Sequence, residues 1–230
     1  MVAESDQADV IIVNTCGFIA PARQESIDTL RRLARSRQPG QLLVAAGCLT
    51  QRSGPGLLRE LDGIDGAVGT RRWMDIGSVV ERVLAGGRRG PVLHFPYAPV
   101  IGPDPVGVTR AHATAGSAYL KIADGCSRAC AFCAIPRIKG PAVSRPPDDI
   151  LADARSLAAQ GVLEINLIAQ DTTTYGIDLG MTDGLARLMA RMASEVEDVR
   201  WIRLLYAYPG CVTPGLVDVM AGHARILPYL

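Results

Sequence analysis

Cys126, Cys130 and Cys133 fall within eight positions of one another, spaced Cys-x3-Cys-x2-Cys, directly behind the run YLKIADG. Soft thiolates suit iron–sulfur clusters. Three of them can hold three irons of a 4Fe–4S cube, and the missing fourth cysteine leaves one iron open to a substrate-like ligand. A zinc site built from three cysteines and a histidine is the alternative. The histidines, His94, His112 and His223, stand at none of the usual zinc spacings. A disulfide would leave one thiol over, and three ordinary core cysteines would rarely crowd so closely behind one strand.

Strands and helices must position these thiols. Residues 10–14 form a β-branched run typical of a buried strand. Pro21 suits the first turn of a helix, with Ile27, Leu30, Leu33 and Ala34 on its apolar face. Residues 42–46 predict a second strand ended by Gly47. A short helix over 55–61, a weak strand at Ala67 and Val68, and a helix over 75–84 follow. Residues 118–122 predict the strand that leads to the cysteines. A helix opened by Pro146 and Pro147 and ended at Gly161, a strand over 163–169, a helix over 182–196, a strand over 201–206 and a helix over 213–221 come next.

Strands alternating with helices imply parallel sheets. The fold class expected is α/β: an N-terminal doubly wound parallel domain over 1–86, a Gly/Pro-rich linker over 87–117 with a β-pair near Val92, and a partial β/α barrel over 118–230. Residues 226–230 read as the start of a further strand. Three strand–helix units and part of a fourth leave open parallel edges, so a fragment of a longer protein is expected.

The 230 residues are 48% hydrophobic and 20% charged, enough for a packed core, with a formal net charge of +1. A dedicated nucleic-acid binder would be more basic. No run reaches the roughly 18 apolar residues of a membrane span, and the first ten lack the regions of a signal peptide. A cytoplasmic protein without membrane attachment is expected, where the six cysteines serve as ligands rather than disulfides.

The run KIADGCSRACAFCAIPRIKGPAVSR resembles the radical S-adenosylmethionine (SAM) methylthiotransferases, through the cysteines and the Ile-Pro…Gly…Ser-Arg tail. NTCGFIAPA and AAGCLTQR are similar to that family's N-terminal domain, so the resemblance covers nearly the whole chain. It implies that SAM occupies the open iron of the Cys126, Cys130 and Cys133 cluster. It also implies a second 4Fe–4S cluster on three N-terminal cysteines. Cys16 and Cys48 match two of these, and the first is missing from this chain. Cys211 has no counterpart in the pattern.

AQDTTTYGIDLG, residues 169–180, looks like the RimO branch, which modifies an aspartate of ribosomal small-subunit protein S-twelve. The transfer-RNA branch, of the MiaB type, has an Asn-Val-Asn-Ser-Tyr-Gly run there. The resemblance therefore implies methylthiolation of an aspartate β-carbon, with one SAM as methyl donor, one as radical source, and a flavodoxin- or ferredoxin-like electron donor. An inactive iron–sulfur-binding fragment is the other alternative. Asp171 and its threonines also suit a simple turn cap.

Phe132 precedes the last cysteine, where the superfamily places an aromatic residue by the adenine; core packing is the bland alternative. Glu164, Asn166 and Gln170 share one side of their strand. Arg203, a charge within an apolar strand, needs a partner, either the SAM carboxylate or Glu164. These residues are the candidate SAM contacts. Lys139 and Arg145 are loop charges that either meet substrate or face solvent.

Overall fold

A computed structural model describes residues 5–86, 90–96 and 116–230. These divide into two compact units: residues up to 96 together with Arg128–Gly140, and residues 116–127 together with Pro141–Leu230. Most of the expected linker, and His112 with it, lies outside the described residues.

The first unit runs β1 (Val10–Thr15), α1 (Ala20–Ser36), β2 (Leu42–Gly47), α2 (Cys48–Ser53), α3 (Gly56–Glu60), β3 (Gly66–Gly69), a 3-10 segment Thr70–Asp75, α4 (Ile76–Gly86) and β4 (Val92–His94). Its sheet is parallel, in the order β1-β2-β3-β4. Neighbouring residues of a strand point to opposite faces, and both faces are covered. Leu43 and Ala45 pack with Ile27 and Leu30 of α1 and with Leu49 and Leu57. Val44 and Val68 pack with Val79 and Val83 of α4. This is the expected doubly wound α/β arrangement.

Three features depart from the sequence reading. Residues 92–94 form not a β-pair inside a linker but the fourth strand of this sheet, with Gly66 opposite Val92. The second strand ends at Gly47 as expected, but a helix the sequence reading did not include follows at once: the φ of +114° at Gly47 turns the chain straight into α2, whose first residue is Cys48. The segment Thr70–Asp75 is 3-10, with Arg72 outside helical geometry.

The second unit contains β5 (Ser117–Lys121), β6 (Ala123–Asp124), β7 (Val143–Ser144), α6 (Pro147–Ala159), β8 (Glu164–Ile168), α7 (Gly184–Glu195), β9 (Trp201–Leu204), a 3-10 turn Pro209–Cys211 and α8 (Pro214–Gly222). The intervening helix α5′, Ile135–Lys139, belongs to the first unit. The sheet is parallel in the order β5-β8-β9, and β6 pairs antiparallel with β7. Where the sequence suggested the start of a further strand at 226–230, a single isolated bridge joins Ile226 to Ile202 in parallel.

Helix α6 opens on Pro147 and buries Ile150, Leu151, Ala154 and Leu157. It ends as the sequence suggested. Gly161 adopts φ +86°, its N–H reaches the Ala158 carbonyl at 2.9 Å, and the Val162 N–H reaches that of Leu157 at 3.1 Å. Helix α7 starts two residues later than expected, because Asp183 takes the left-handed conformation at φ +49°. At α8 the Thr213 hydroxyl caps the Leu216 N–H at 3.1 Å. No helix among the described residues is long and apolar enough to cross a membrane.

Candidate functional site

In the first unit, β1 and β2 run in register to their C-terminal ends, with Thr15 opposite Gly47. Cys16 and Cys48 are the next residues on each strand, so they leave the sheet side by side. Two glycines permit this. A Cβ on Gly17 would stand 2.7 Å from the Leu49 Cα and 2.8 Å from the Cys48 carbonyl, and one on Gly47 would stand 2.6 Å from the Thr15 carbonyl. Both cysteines are half-buried. The Cys16 N–H donates to the Ser26 hydroxyl of α1 at 3.0 Å, and the Arg52 guanidinium donates to the Gly17 carbonyl at 2.7 Å.

Cys130 and Cys133 also belong to the first unit, ahead of α5′. The Cys133 N–H donates to the Cys130 carbonyl at 3.1 Å, and the Cys133 Sγ accepts from the Ile135 N–H at 3.5 Å. Cys130 is exposed and Cys133 half-buried. Helix α5′ packs on α2, the helix that begins at Cys48. Phe132 is 88% exposed, which removes core packing as its explanation.

Cys126 belongs to the second unit and is buried just beyond β6, after Gly125 turns the chain at φ +72°. It therefore follows the C-terminal end of β5. Catalytic groups of parallel β/α barrels gather at that end. None of the six cysteines is in a disulfide. Among the described residues, no three His, Cys, Asp or Glu side chains are grouped closely enough to hold a metal ion. The fit to an iron–sulfur cluster accordingly rests on donor chemistry: three free thiols in eight residues, one presented to solvent.

The polar residues of β8 resolve differently. Ile165 and Leu167 face the core, leaving Glu164 and Asn166 on the other side. Glu164 stands at the N-terminal end of β8, opposite Ser117, away from the end that Cys126 follows. Arg203 donates through Nε to Glu164 at 2.9 Å, and its guanidinium lies 5.9 Å from the Tyr229 ring centroid. Of the two partners open to Arg203, the fold supplies Glu164. Asn166 is buried and donates to the Ser117 hydroxyl at 2.9 Å. Gln170, beyond the C-terminal end of β8, is exposed.

The segment after Gln170 is a hydrogen-bonded scaffold. The Thr173 N–H donates to Asp171 Oδ1 at 3.0 Å, and the Thr172 hydroxyl donates to the Leu205 carbonyl at 2.9 Å. The Tyr175 hydroxyl donates to the Arg145 carbonyl at 2.9 Å, and the Gly176 N–H to the Ser144 hydroxyl at 2.9 Å. Burial pushes the Tyr175 phenol far above its ordinary range, so it stays a donor. Arg145 is neither solvated nor turned to substrate, as loop placement suggested. It is buried, paired with Asp153 at 2.9 Å and bonded to the Lys121 carbonyl at 2.9 Å.

His94, one of the histidines weighed as a zinc ligand, lies 2.7 Å from Asp75, which also binds Arg72 at 2.9 Å. The Arg72 hydrogen bond holds the Asp75 carboxyl below the usual carboxylate range.

Family comparison separates this cysteine pattern from look-alikes. Residues 1–69 match the uncharacterized protein family UPF0004, and residues 120–223 match the radical SAM superfamily. A protein of Roseiflexus sp. (strain RS-1) named ribosomal protein uS12 methylthiotransferase RimO is 43% identical over 246 residues, covering 100% of this chain and 52% of the relative. One of Symbiobacterium thermophilum with the same name is 44% identical, covering 98% of this chain and 46% of the relative. The chain belongs to the radical SAM methylthiotransferase family.

The chain spans about half the length of the curated relatives it matches. Two structures of the radical SAM methyltransferase TsrM from Kitasatospora setae share the fold. One, with cobalamin and a [4Fe-4S] cluster, has a TM-score of 0.63 at 17% identity, over 94% of this chain and 48% of that one. The other, with tryptophan and a SAM analogue, has a TM-score of 0.61 at 18% identity, over 94% of this chain and 46% of that one. In this methylthiotransferase-family chain, the UPF0004 match spans β1, β2 and β3 of the first unit's sheet, and the radical SAM match runs from the end of β5 through the cysteine loop, β8 and β9.

Proposed function

We propose that this chain carries the radical chemistry of an enzyme that methylthiolates the β-carbon of an aspartate in ribosomal protein uS12. One SAM serves as methyl donor and another as radical source. The observation that carries the reading is the Cys126, Cys130 and Cys133 pattern behind β5, in a chain 43% identical along its whole length to a uS12 methylthiotransferase.

Cys126, Cys130 and Cys133 hold three irons of one 4Fe–4S cluster, and Cys16 and Cys48 are two thiolate ligands of a second. Such a cluster, reduced and with SAM bound, would supply radical chemistry able to remove hydrogen from an unactivated methylene. The need for it is physical: the β-methylene of an aspartate is too weak an acid for a side-chain base at neutral pH. Phe132, exposed beside Cys133, would contact the adenine of bound SAM. Gln170 and Asn166 are the polar contacts left on β8 and beyond it, while Glu164 and Arg203 act by tying β8 to β9. The electron comes from a flavodoxin- or ferredoxin-like protein, and the setting is the cytoplasm.

The test is mass spectrometry of two candidate substrates after incubation with the intact, anaerobically reconstituted protein, SAM and a reductant. A methylthio group on the uS12 aspartate is expected, with transfer RNA bearing isopentenyladenosine unmodified. The reverse pattern contradicts the substrate assignment.

A further inference from the structure

Helix α5′ has five residues, too few to be stable alone. It sets the place of two cysteines: the Ile135 N–H binds the Cys133 sulfur, and the Cys133 N–H binds the Cys130 carbonyl. Residues 125–134 contain no strand or helix of their own. Whatever fixes α5′ therefore fixes Cys133 and, through it, Cys130.

The last carbonyls of a helix find no partner inside it. Here two of them meet one side chain from elsewhere in the first unit. Arg71 donates through Nε to the Ile138 carbonyl at 3.0 Å and through Nη2 to the Arg137 carbonyl at 3.2 Å. A cation on C-terminal carbonyls is favoured by charge as well as by hydrogen bonding. Arg71 is itself held: its N–H donates to the Gln51 carboxamide at 3.3 Å, and Gln51 lies on α2, which begins at Cys48. Gly69 keeps that place open, since a Cβ there would collide with the Gln51 side chain. One run of contacts thus leads from Cys48 through Gln51 and Arg71 to α5′, Cys133 and Cys130.

We propose that Arg71 is a positioning residue, whose two-pronged hold on α5′ fixes the Cys130 and Cys133 thiols relative to the Cys48 end of the first sheet. Its consequence for catalysis rests on the function proposed above. If the two cysteine sets hold the two clusters, loosening Arg71 leaves radical formation running while transfer to substrate falters.

Two readouts test this in the intact protein with Arg71→Ala and Arg71→Lys. The first is amide hydrogen exchange on iron-free protein. In Arg71→Ala, residues 135–140 should exchange at least about tenfold faster, since two charge-assisted hydrogen bonds are lost. Arg71→Lys should fall between, because an ammonium reaches one carbonyl where the guanidinium fork reaches two. The second is the ratio of methylthiolated product to deoxyadenosine in reconstituted protein. It should fall about tenfold or more in Arg71→Ala, since small misplacements of reacting groups cost that much, and recover partly in Arg71→Lys. Unchanged exchange at 135–140 overturns the proposal. So does faster exchange spread evenly over residues 5–96, or product and deoxyadenosine falling together. If wild-type protein makes no deoxyadenosine, the proposed function fails, and the exchange comparison still decides the role of Arg71.

Discussion

At the C-terminal edge of the first unit's sheet, backbone meets backbone. Gly17 and Gly47 let the turns after β1 and β2 approach so closely that no Cβ fits, and Cys16 and Cys48 emerge side by side. At the corresponding edge of the second unit's sheet, side chains meet backbone instead. Ser144, Arg145, Asp171, Thr172 and Tyr175 are buried, and each spends its polar atoms on hydrogen bonds within the unit. The first edge is shaped by the absence of side chains and ends in two soft donors. The second is a polar scaffold whose residues hold the loop rather than reach out from it. Polar residues near a site are thus not equivalent to polar residues of a site: burial and partners tell them apart.

Removing the charge that anchors the scaffold is one way to probe this contrast. Arg145→Met removes the buried guanidinium's bonds to the half-buried Asp153 and to the Lys121 carbonyl and should cost about 2 kcal/mol, below the full penalty for breaking a wholly buried pair. Chemical denaturation followed in the second unit measures it. A cost below about 1 kcal/mol, the level of an exposed pair, would remove the scaffold side of the comparison.

A similar loss of stability is expected at the glycine edge. Gly17→Ala forces the Cys16 and Cys48 turns apart and should cost about 1–3 kcal/mol. Its sharper signature is metal: in a protein that supplies the third thiolate, bound iron should fall by about half, as only the cluster that Cys16 and Cys48 help to hold is lost. Full iron in a folded Gly17→Ala protein would show that the close approach does not serve ligand placement.

The elements that position the cysteines are legible in the sequence. The apolar runs of β1, β2, β5 and β8, and the face of α6 with its Gly161 stop, follow from local pattern alone. Short elements defined by tertiary contact are not. Helix α2 is six residues long and follows directly on the glycine that ends β2, and β4 is only three residues long within a Gly/Pro-rich stretch. The same holds for side-chain roles. A half-buried pair such as Arg203 with Glu164 depends on strand register, and Arg71 reaches residues more than sixty positions away. No spacing rule announces either, whereas three thiols in eight residues announce themselves.

Alanine at Cys126, Cys130 and Cys133 together, in the intact reconstituted protein, tests the central claim most directly. Iron should drop by about four atoms per chain, one cube, and deoxyadenosine formation from SAM should cease while the folded state persists by circular dichroism. Iron content and deoxyadenosine yield equal to wild type would contradict the account.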